Sequence, residues 1–261
     1  MIKRLKRGLN LDRMLLLAGA GTLAAAPFTA CAGTAVGIEP SYFTGSYGTT
    51  QTVRIYDLPL SVYYRSGPWG FHAQFSYLSI HGNALVSGAT VIRGSPGRGA
   101  RSGPGDTWLE GRYRLYRSSA SSFSVSPYVK LKVPTASRSQ GFGTGSFDEE
   151  AGARFAWSFF HRLYPFAQLG YRFVGRASGL NLRDITTYEA GASLALRPHR
   201  YLTLSVGGHT PLERGIGPTD ELLAAYTSRL TRQWELQAYA VHGLTANSTQ
   251  KGGGLGVYRH F

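Results

Sequence analysis

From residue 33 onward the chain alternates apolar and polar positions with a period of two, in long runs separated by breaks rich in Gly, Ser and Arg. The pattern is clearest between Leu109 and Val133. Leu109, Gly111, Tyr113 and Leu115 alternate with Glu110, Arg112, Arg114 and Tyr116. Beyond the polar turn RSSAS, the residues Phe123, Val125, Val129, Leu131 and Val133 alternate with Ser124, Ser126, Lys130 and Lys132. A period of two sends consecutive side chains to opposite faces of a strand, so each strand has one apolar and one charged face. Strands in soluble sandwiches usually run about five or six residues. Longer alternating strands suit a barrel with lipid outside and water inside.

The pattern predicts twelve strands, at 38–47, 53–65, 69–80, 106–117, 122–134, 147–160, 163–175, 186–197, 201–209, 221–230, 233–243 and 252–261. Two positions fit badly. The first strand alternates weakly, and Pro127 lies inside a strand although a closed barrel has no free edge to hide a missing donor. The connections alternate in length. RSGPW, RSSAS, HR, PHR and TRQ are short and hold or abut an Arg, whereas the others, 48–52, 81–105, 135–146, 176–185, 210–220 and 244–251, are rich in Gly, Ser and Thr and, apart from the five residues of 48–52, longer. Tight turns at one rim and long loops at the other are the outer-membrane arrangement, turns in the periplasm and loops outside. The expected fold is therefore an all-β, transmembrane, antiparallel up-and-down β-barrel, with an even strand count and both termini periplasmic. Tyr63, Tyr64, Trp69, Phe71, Tyr116, Trp157, Phe159, Phe160, Tyr164, Phe166, Tyr201 and Trp234 lie near strand ends, where aromatic girdles are expected. The C-terminal LGVYRHF places an aromatic last, which makes Phe261 the expected signal for the outer-membrane assembly machinery. Arg259 interrupts the usual apolar choice.

Composition agrees with this picture. Charged residues are 16% of the 261, and Gly (34) and Tyr (16) are abundant. After the first thirty residues no apolar run approaches the roughly 18 needed for a membrane helix. The net charge of +14 raises nucleic acid as a partner, but after the N-terminus the bases are scattered singly, which argues against it. Lys3, Arg4, Lys6, Arg7 and Arg13 precede the short apolar stretch MLLLAGAGTLAAA, and Ala30-Cys31-Ala32 offers a small-residue cleavage site. Residues 1–32 read as a secretory signal peptide and 33–261 as the barrel. Cys31 is the only cysteine. Its FTAC context departs from a lipoprotein box at Phe28, and both lipidation and removal with the leader stay open.

Four segments carry a resemblance: GPGDTWLEGRYRL, SPYVKLKVPT, GFGTGSFDEEAG and YPFAQLGYRFVG. The chain resembles the outer-membrane transporter-like proteins associated with the meta-pathway of phenol degradation. Their strand start Gly-Asp-Thr matches Gly105 to Thr107, and their Lys-Leu-Pro-Thr-Gly segment matches Lys130 to Thr135. Their Gly-x-Gly-Thr-Gly-Ser-x-Asp loop falls at 141–148, and Gly-Tyr-x-Phe-x-Gly at 170–175. Lys132-Val133 splits the second motif and Ala136 replaces its final Gly. The resemblance covers roughly 55–261. It implies a channel for small, often aromatic, molecules.

Catalytic chemistry finds little support. A barrel lipid hydrolase needs a Ser activated by a His, commonly two residues apart on one strand, and no His-x-Ser occurs. Asp148, Glu149 and Glu150 are adjacent, so Asp148 and Glu150 share a face, but no His is near them in sequence. GFGTGS lacks the terminal Lys and following helix of a phosphate loop. No Cys pair or His pair stands at metal-ligand spacing. Neither a catalytic site, a metal nor a cofactor is expected. Assigning apolar positions to lipid puts Glu110, Arg112, Arg114, Lys130, Lys132, Glu150, Arg154, Arg172, Glu189, Arg197 and Glu235 on the lumen side, seven bases against four acids. Arg112, Arg114, Lys130 and Lys132 are expected to form a positive patch across one hairpin, unless Glu110, Glu150 and Glu189 neutralise it. The expected function is passive passage of small, aromatic or anionic solutes across the outer membrane. The expected partners are the lipid bilayer, the assembly machinery and a small solute. The alternatives are a non-conducting structural or adhesive barrel and, further off, a lipid hydrolase. Oligomeric state is not readable from the chain.

Overall fold

The structure, a computed structural model, describes residues 33–87, 90–92, 99–117, 123–160 and 162–261. The expected signal peptide and Cys31 lie outside the described residues. The first stave consists of β1 (Gly33–Ile38) and β2 (Ser41–Gly45), and β3 (Val53–Ser66) and β4 (Trp69–His81) follow. The fourth stave is assembled from β7 (Ala100–Pro104), β8 (Thr107–Tyr113) and β9 (Tyr116–Arg117). Eight more complete the wall: β10 (Ser124–Val133), β11 (Asp148–Ala156), β12 (Leu163–Val174), β13 (Ile185–Arg197), β14 (Arg200–His209), β15 (Thr219–Arg229), β16 (Trp234–Gly243) and β17 (Lys251–His260). Every neighbour is antiparallel. The last stave returns to the first, with Ala35 opposite His260 and Phe43 opposite Gly252. The result is a closed twelve-stave barrel, which satisfies its backbone strand to strand and leaves no edge.

Two of the prolines in the wall, Pro127 and Pro40, are accommodated locally. Pro127 has no N–H to give β8. There the facing stave breaks between β8 and β9 and carries one extra residue: Tyr128 opposes Arg112, yet Val125 opposes Tyr116. This β-bulge lets the Leu115 N–H donate to the Val125 carbonyl at 3.0 Å, beside the missing bond. Pro40 separates β1 from β2 without a register shift, because its carbonyl still accepts from the Leu255 N–H at 3.1 Å.

Polarity is inverted relative to a soluble domain. Val129 and Leu204 are 61% and 53% exposed, while Lys132 and Glu235 are 0% and 1% exposed. An apolar belt this complete belongs in lipid. Tyr64, Trp69, Phe71, Phe159, Phe160 and Trp234 are exposed near the short-turn rim, as girdle residues should be. Tyr63, Tyr164, Phe166 and Tyr201 are not girdle residues. They are buried, because they share the strand parity of the inner face. Tyr63 there stacks on His72, ring centroids 4.2 Å apart.

The inner face is rich in glycine, and aromatic rings fill the space the missing side chains leave. The Tyr128 ring lies over Gly152 and Gly170, Tyr258 over Gly37 and Gly256, Tyr239 over Gly254, and Phe43 over Gly252. At the long-loop end two apolar clusters meet a short hairpin, β5 (Leu85–Ser87) with β6 (Thr90–Ile92). Val86 packs with Val53, Ile55, Ile80 and Phe142, and Leu85 and Ile92 pack with Val174, Leu182 and Ile185. The hairpin thus touches walls on both sides of the mouth. Arg101 staples its base, donating to the carbonyls of Gly82 at 2.8 Å and Gln140 at 2.6 Å. The sequence pattern had predicted only a long loop there.

Candidate functional site

Register decides what the inner charges do. His72, Glu110, Lys130, Glu150 and Arg172 stand on successive staves as one rung. Acid and base therefore alternate around the wall, and the rung closes into ion pairs. Glu110 accepts from Arg154 Nη2 at 2.9 Å and stands 3.7 Å from Lys130 Nζ. Arg172 donates to Glu150 Oε2 through Nε and Nη2, each at 2.8 Å. The other Glu150 oxygen accepts from Tyr128 at 2.7 Å and Thr187 at 3.0 Å. Gln168 gives its amide proton to Tyr128 and accepts one from Arg154. Arg154 also lies over the Tyr128 ring and Arg172 over Trp108, each at 5.0 Å. Charged groups buried in this way are tolerated only when they are paired and hydrogen-bonded.

A second knot lies nearer the long loops. Lys132 Nζ meets Asp148 at 2.8 Å, Asp106 at 3.9 Å and the Thr144 hydroxyl at 2.8 Å. Thr107 and Thr135 share a hydrogen bond at 3.0 Å, and Thr135 donates to the Gly105 carbonyl. The Gly175 N–H donates to Asp148 Oδ1 at 2.9 Å. All four segments that carried the family resemblance converge here. Gly143 of the GFGTGS loop lies so close to Asp106 that a Cβ would stand 2.6 Å from its carboxylate. The loop is an inward clamp on Lys132, with no phosphate-loop geometry.

The other sequence-predicted positions are scattered. Arg112 and Arg114 lie half-buried toward the short turns, opposite Tyr128 and near Ser126, while Lys130 and Lys132 lie toward the long loops. The expected four-base patch is therefore divided, because antiparallel pairing sets Glu110, and not Arg112, beside Lys130. Glu189 is buried in register with Gln168, and Glu235 lies 3.5 Å from His260. Arg197 is exposed at the rim, since a register shift between Ala195 and Arg197 ends the alternation. The seven-to-four count also omitted Glu39, Asp57, Asp106 and Asp148, which share the inner face. Their signal in the sequence was strand parity, hidden by strand starts and by prolines at 40 and 59. Among the described residues no cluster of three or more His, Cys, Asp or Glu side chains could hold a metal.

No family model and no curated protein matches the chain. Solved structures do. It resembles the COG4313 outer membrane channel from Pseudomonas putida F1, with a TM-score of 0.69 and 14% identity over 90% of this chain and 97% of that one. It is similar to the NanC porin, with a TM-score of 0.56 and 9% identity over 87% of this chain and 98% of that one. It is also similar to the KdgM porin solved with disordered oligogalacturonate, with a TM-score of 0.53 and 10% identity over 86% and 99%. At these identities the likeness establishes the fold, a barrel of the outer-membrane type. These three neighbours are channels or porins, not enzymes.

Proposed function

We propose that this chain is a passive outer-membrane channel for small solutes, seated with its short turns and both termini toward the periplasm. The carrying observation is the closed barrel with an apolar belt outside and a polar, charged inner wall. That inversion is useful only where lipid surrounds the protein and polar groups face a path. The resemblance to the phenol meta-pathway family supports aromatic solutes. Bases reaching inward from both ends of β8 and β10 support anionic ones. Glu110, Arg112, Arg114, Lys130, Lys132, Glu150, Arg154, Arg172 and Glu189 are the proposed path-facing set, with Arg197 at its rim. Planar-bilayer recordings of the purified protein in asymmetric salt test this reading. Unitary conductance with a reversal potential on the anion side is expected. Silence, together with no flux of benzoate into loaded vesicles, overturns it in favour of a structural barrel, the reading that the braced rung and the β5–β6 hairpin favour.

Recognition by the assembly machinery is proposed to use Phe261. It is exposed, its N–H donates to the Thr34 carbonyl at 2.9 Å, and Arg259 lies over its ring. Deleting Phe261 should lower outer-membrane levels and leave periplasmic delivery intact. Unchanged levels on a fractionated blot would reject that role.

A further inference from the structure

Most arginines of the short turns have no part in the braced inner wall. From β12 round to β17 the short-turn rim carries Arg162, Arg197, Arg200, Arg229, Arg232 and Arg259. Arg229 is half-buried and the others are exposed.

Backbone pairing draws them into one arc. The Ala195 N–H donates to the Arg162 carbonyl at 2.8 Å, so the β11–β12 turn lies against the end of β13. Arg197 and Arg200 oppose each other directly across the β13–β14 turn, and Arg200 also opposes Ser228 on β15. The Arg229 N–H donates to the His199 carbonyl at 3.0 Å, and the Arg229 guanidinium donates to the Arg232 carbonyl. Trp234 opposes Arg259, whose guanidinium lies over its ring, 5.7 Å from the centroid.

The arc has charge of one sign. The acid along these turns and strand ends is Glu235, which is 1% exposed and turned inward to His260. Among the described residues none of these arginines stands within ion-pair distance of a carboxylate. Glu149, the one exposed acid among the described residues, lies at the long-loop end of β11. Like charges directly opposed in an antiparallel pair destabilise it. The β13–β14 turn nonetheless holds Arg197 and Arg200 face to face, and it does so on a strained backbone. Its connection is Pro198 and His199 alone, with His199 at φ 63 in the left-handed region. An anion at this rim removes the repulsion.

The neighbours of the arginines indicate which anion. Phe160 is 92% exposed and Phe261 69%, and Phe159, Leu230 and Trp234 are exposed beside them. Such side chains at a barrel rim enter the boundary between acyl chains and headgroups. Guanidinium groups carried by the same turns then reach the depth of the lipid phosphates. The guanidinium fork matches a pair of phosphate oxygens. A free oxyanion would use the arginines and leave the apolar side chains in water. A phospholipid occupies both.

We propose that this arc is a binding surface for anionic phospholipid, its arginines holding headgroup phosphates and its apolar side chains the adjoining acyl chains. The inference rests on the membrane seating of the channel reading, but lipid binding is measurable without conduction, so each can fail alone. Native mass spectrometry of the purified full barrel tests it, after titration in neutral detergent with phosphatidylglycerol or phosphatidylcholine of identical chains. Phosphatidylglycerol should be retained in preference by about fivefold or more. Replacing Arg162, Arg197, Arg200 and Arg232 by Gln should bring the two lipids level. Arg183→Gln with Arg214→Gln, exposed bases in the long loops, should leave the preference unchanged. Equal retention of the two lipids by the wild-type barrel overturns the surface. So does a preference that survives in a quadruple variant still showing the heat-dependent gel shift of a folded barrel. A preference lowered as much by the long-loop pair overturns it too, because net charge alone would then be the cause. Should the quadruple variant not fold, Arg197→Gln with Arg200→Gln replaces it, and an undiminished preference is equally fatal. Binding of polyglutamate through the arc, with the two lipids level, would reject the lipid and assign an acidic protein segment. A barrel silent in bilayers that keeps the lipid preference would reject the channel and retain the surface.

Discussion

The inner wall of the barrel is filled in two ways. From β4 through β12 it carries charge: His72, Glu110, Lys130, Glu150 and Arg172 in one rung, with Arg154 and Lys132 on either side. From β13 round to β3 it carries mostly hydroxyls, glycines and tyrosines, with Glu189, Glu235, His260, Glu39 and Asp57 set among them. There Ser193 and Thr203 share a hydrogen bond at 2.7 Å, Tyr239 donates to Ser41 at 2.7 Å, and Tyr258 donates to Glu39 over the bare backbone of Gly37 and Gly256. Both walls obey the same alternation and face the same kind of lipid. What differs is the cause of inner order. On the charged wall order comes from register, since a slip of one residue would set each ion at a face it cannot occupy. On the glycine wall it comes from shape, since rings enter only where Cβ atoms are missing.

The largest expected effect follows on the charged wall. Glu150→Ala leaves Arg172 without its carboxylate and removes the acceptor of Tyr128 and Thr187. Breaking a buried pair from one side costs about 3–5 kcal/mol. Thr203→Ala on the other wall removes one neutral hydrogen bond, worth about 1 kcal/mol. Urea unfolding of the vesicle-inserted barrel, followed by its heat-dependent gel shift, measures both. A loss at Thr203 equal to that at Glu150 would erase the contrast.

Outside, the two walls should behave alike. Val129 on β10 and Leu204 on β14 both lie near the middle of an apolar strand face, and an Arg at either should cost about 2–4 kcal/mol. Leu131 is a poorer probe than strand parity suggests, because Glu149 opposes it and would pair with the new base. Tolerance of Val129→Arg but not Leu204→Arg would mean that the charged wall faces something other than lipid.

These two walls were unequally legible in the chain. Alternation and loop length located the twelve staves, because a lipid-facing strand must show an apolar residue at every second position, but they missed most of β1, which alternates weakly, and β7, which is short and polar. Alternation also identified Glu110, Lys130, Glu150, Arg154 and Arg172 as residues of one face. It did not identify their partners. Partnership depends on which residues oppose one another, and the extra residue opposite Pro127 shifts that relation along the hairpin by an amount no periodicity reveals. Aromatics were harder. Tyr63 and Tyr64 are neighbours in sequence, and only knowing which face holds Gly37 and His72 shows that one is inside and the other in the belt. The β5–β6 hairpin was invisible because strands of three residues are too short to establish a period.

The smallest expected effect probes the glycine wall itself. The three atoms nearest to a Cβ on Gly37 would all belong to the Tyr258 ring. Gly37→Ala should therefore cost about 1–3 kcal/mol, the usual penalty of overpacking, while Tyr258 is present. In a Tyr258→Ala background the same substitution should cost almost nothing, so the double-mutant cycle should show strong coupling. Gly152 on the charged wall gives the counterpart. There a Cβ would meet Tyr128 and also the Leu169 carbonyl, a backbone atom that cannot swing aside. Gly152→Ala should stay costly after Tyr128→Ala. Equal relief at both glycines would show that Gly152 is kept bare for its ring alone, so that shape, and not close approach of the strands, orders the charged wall as well.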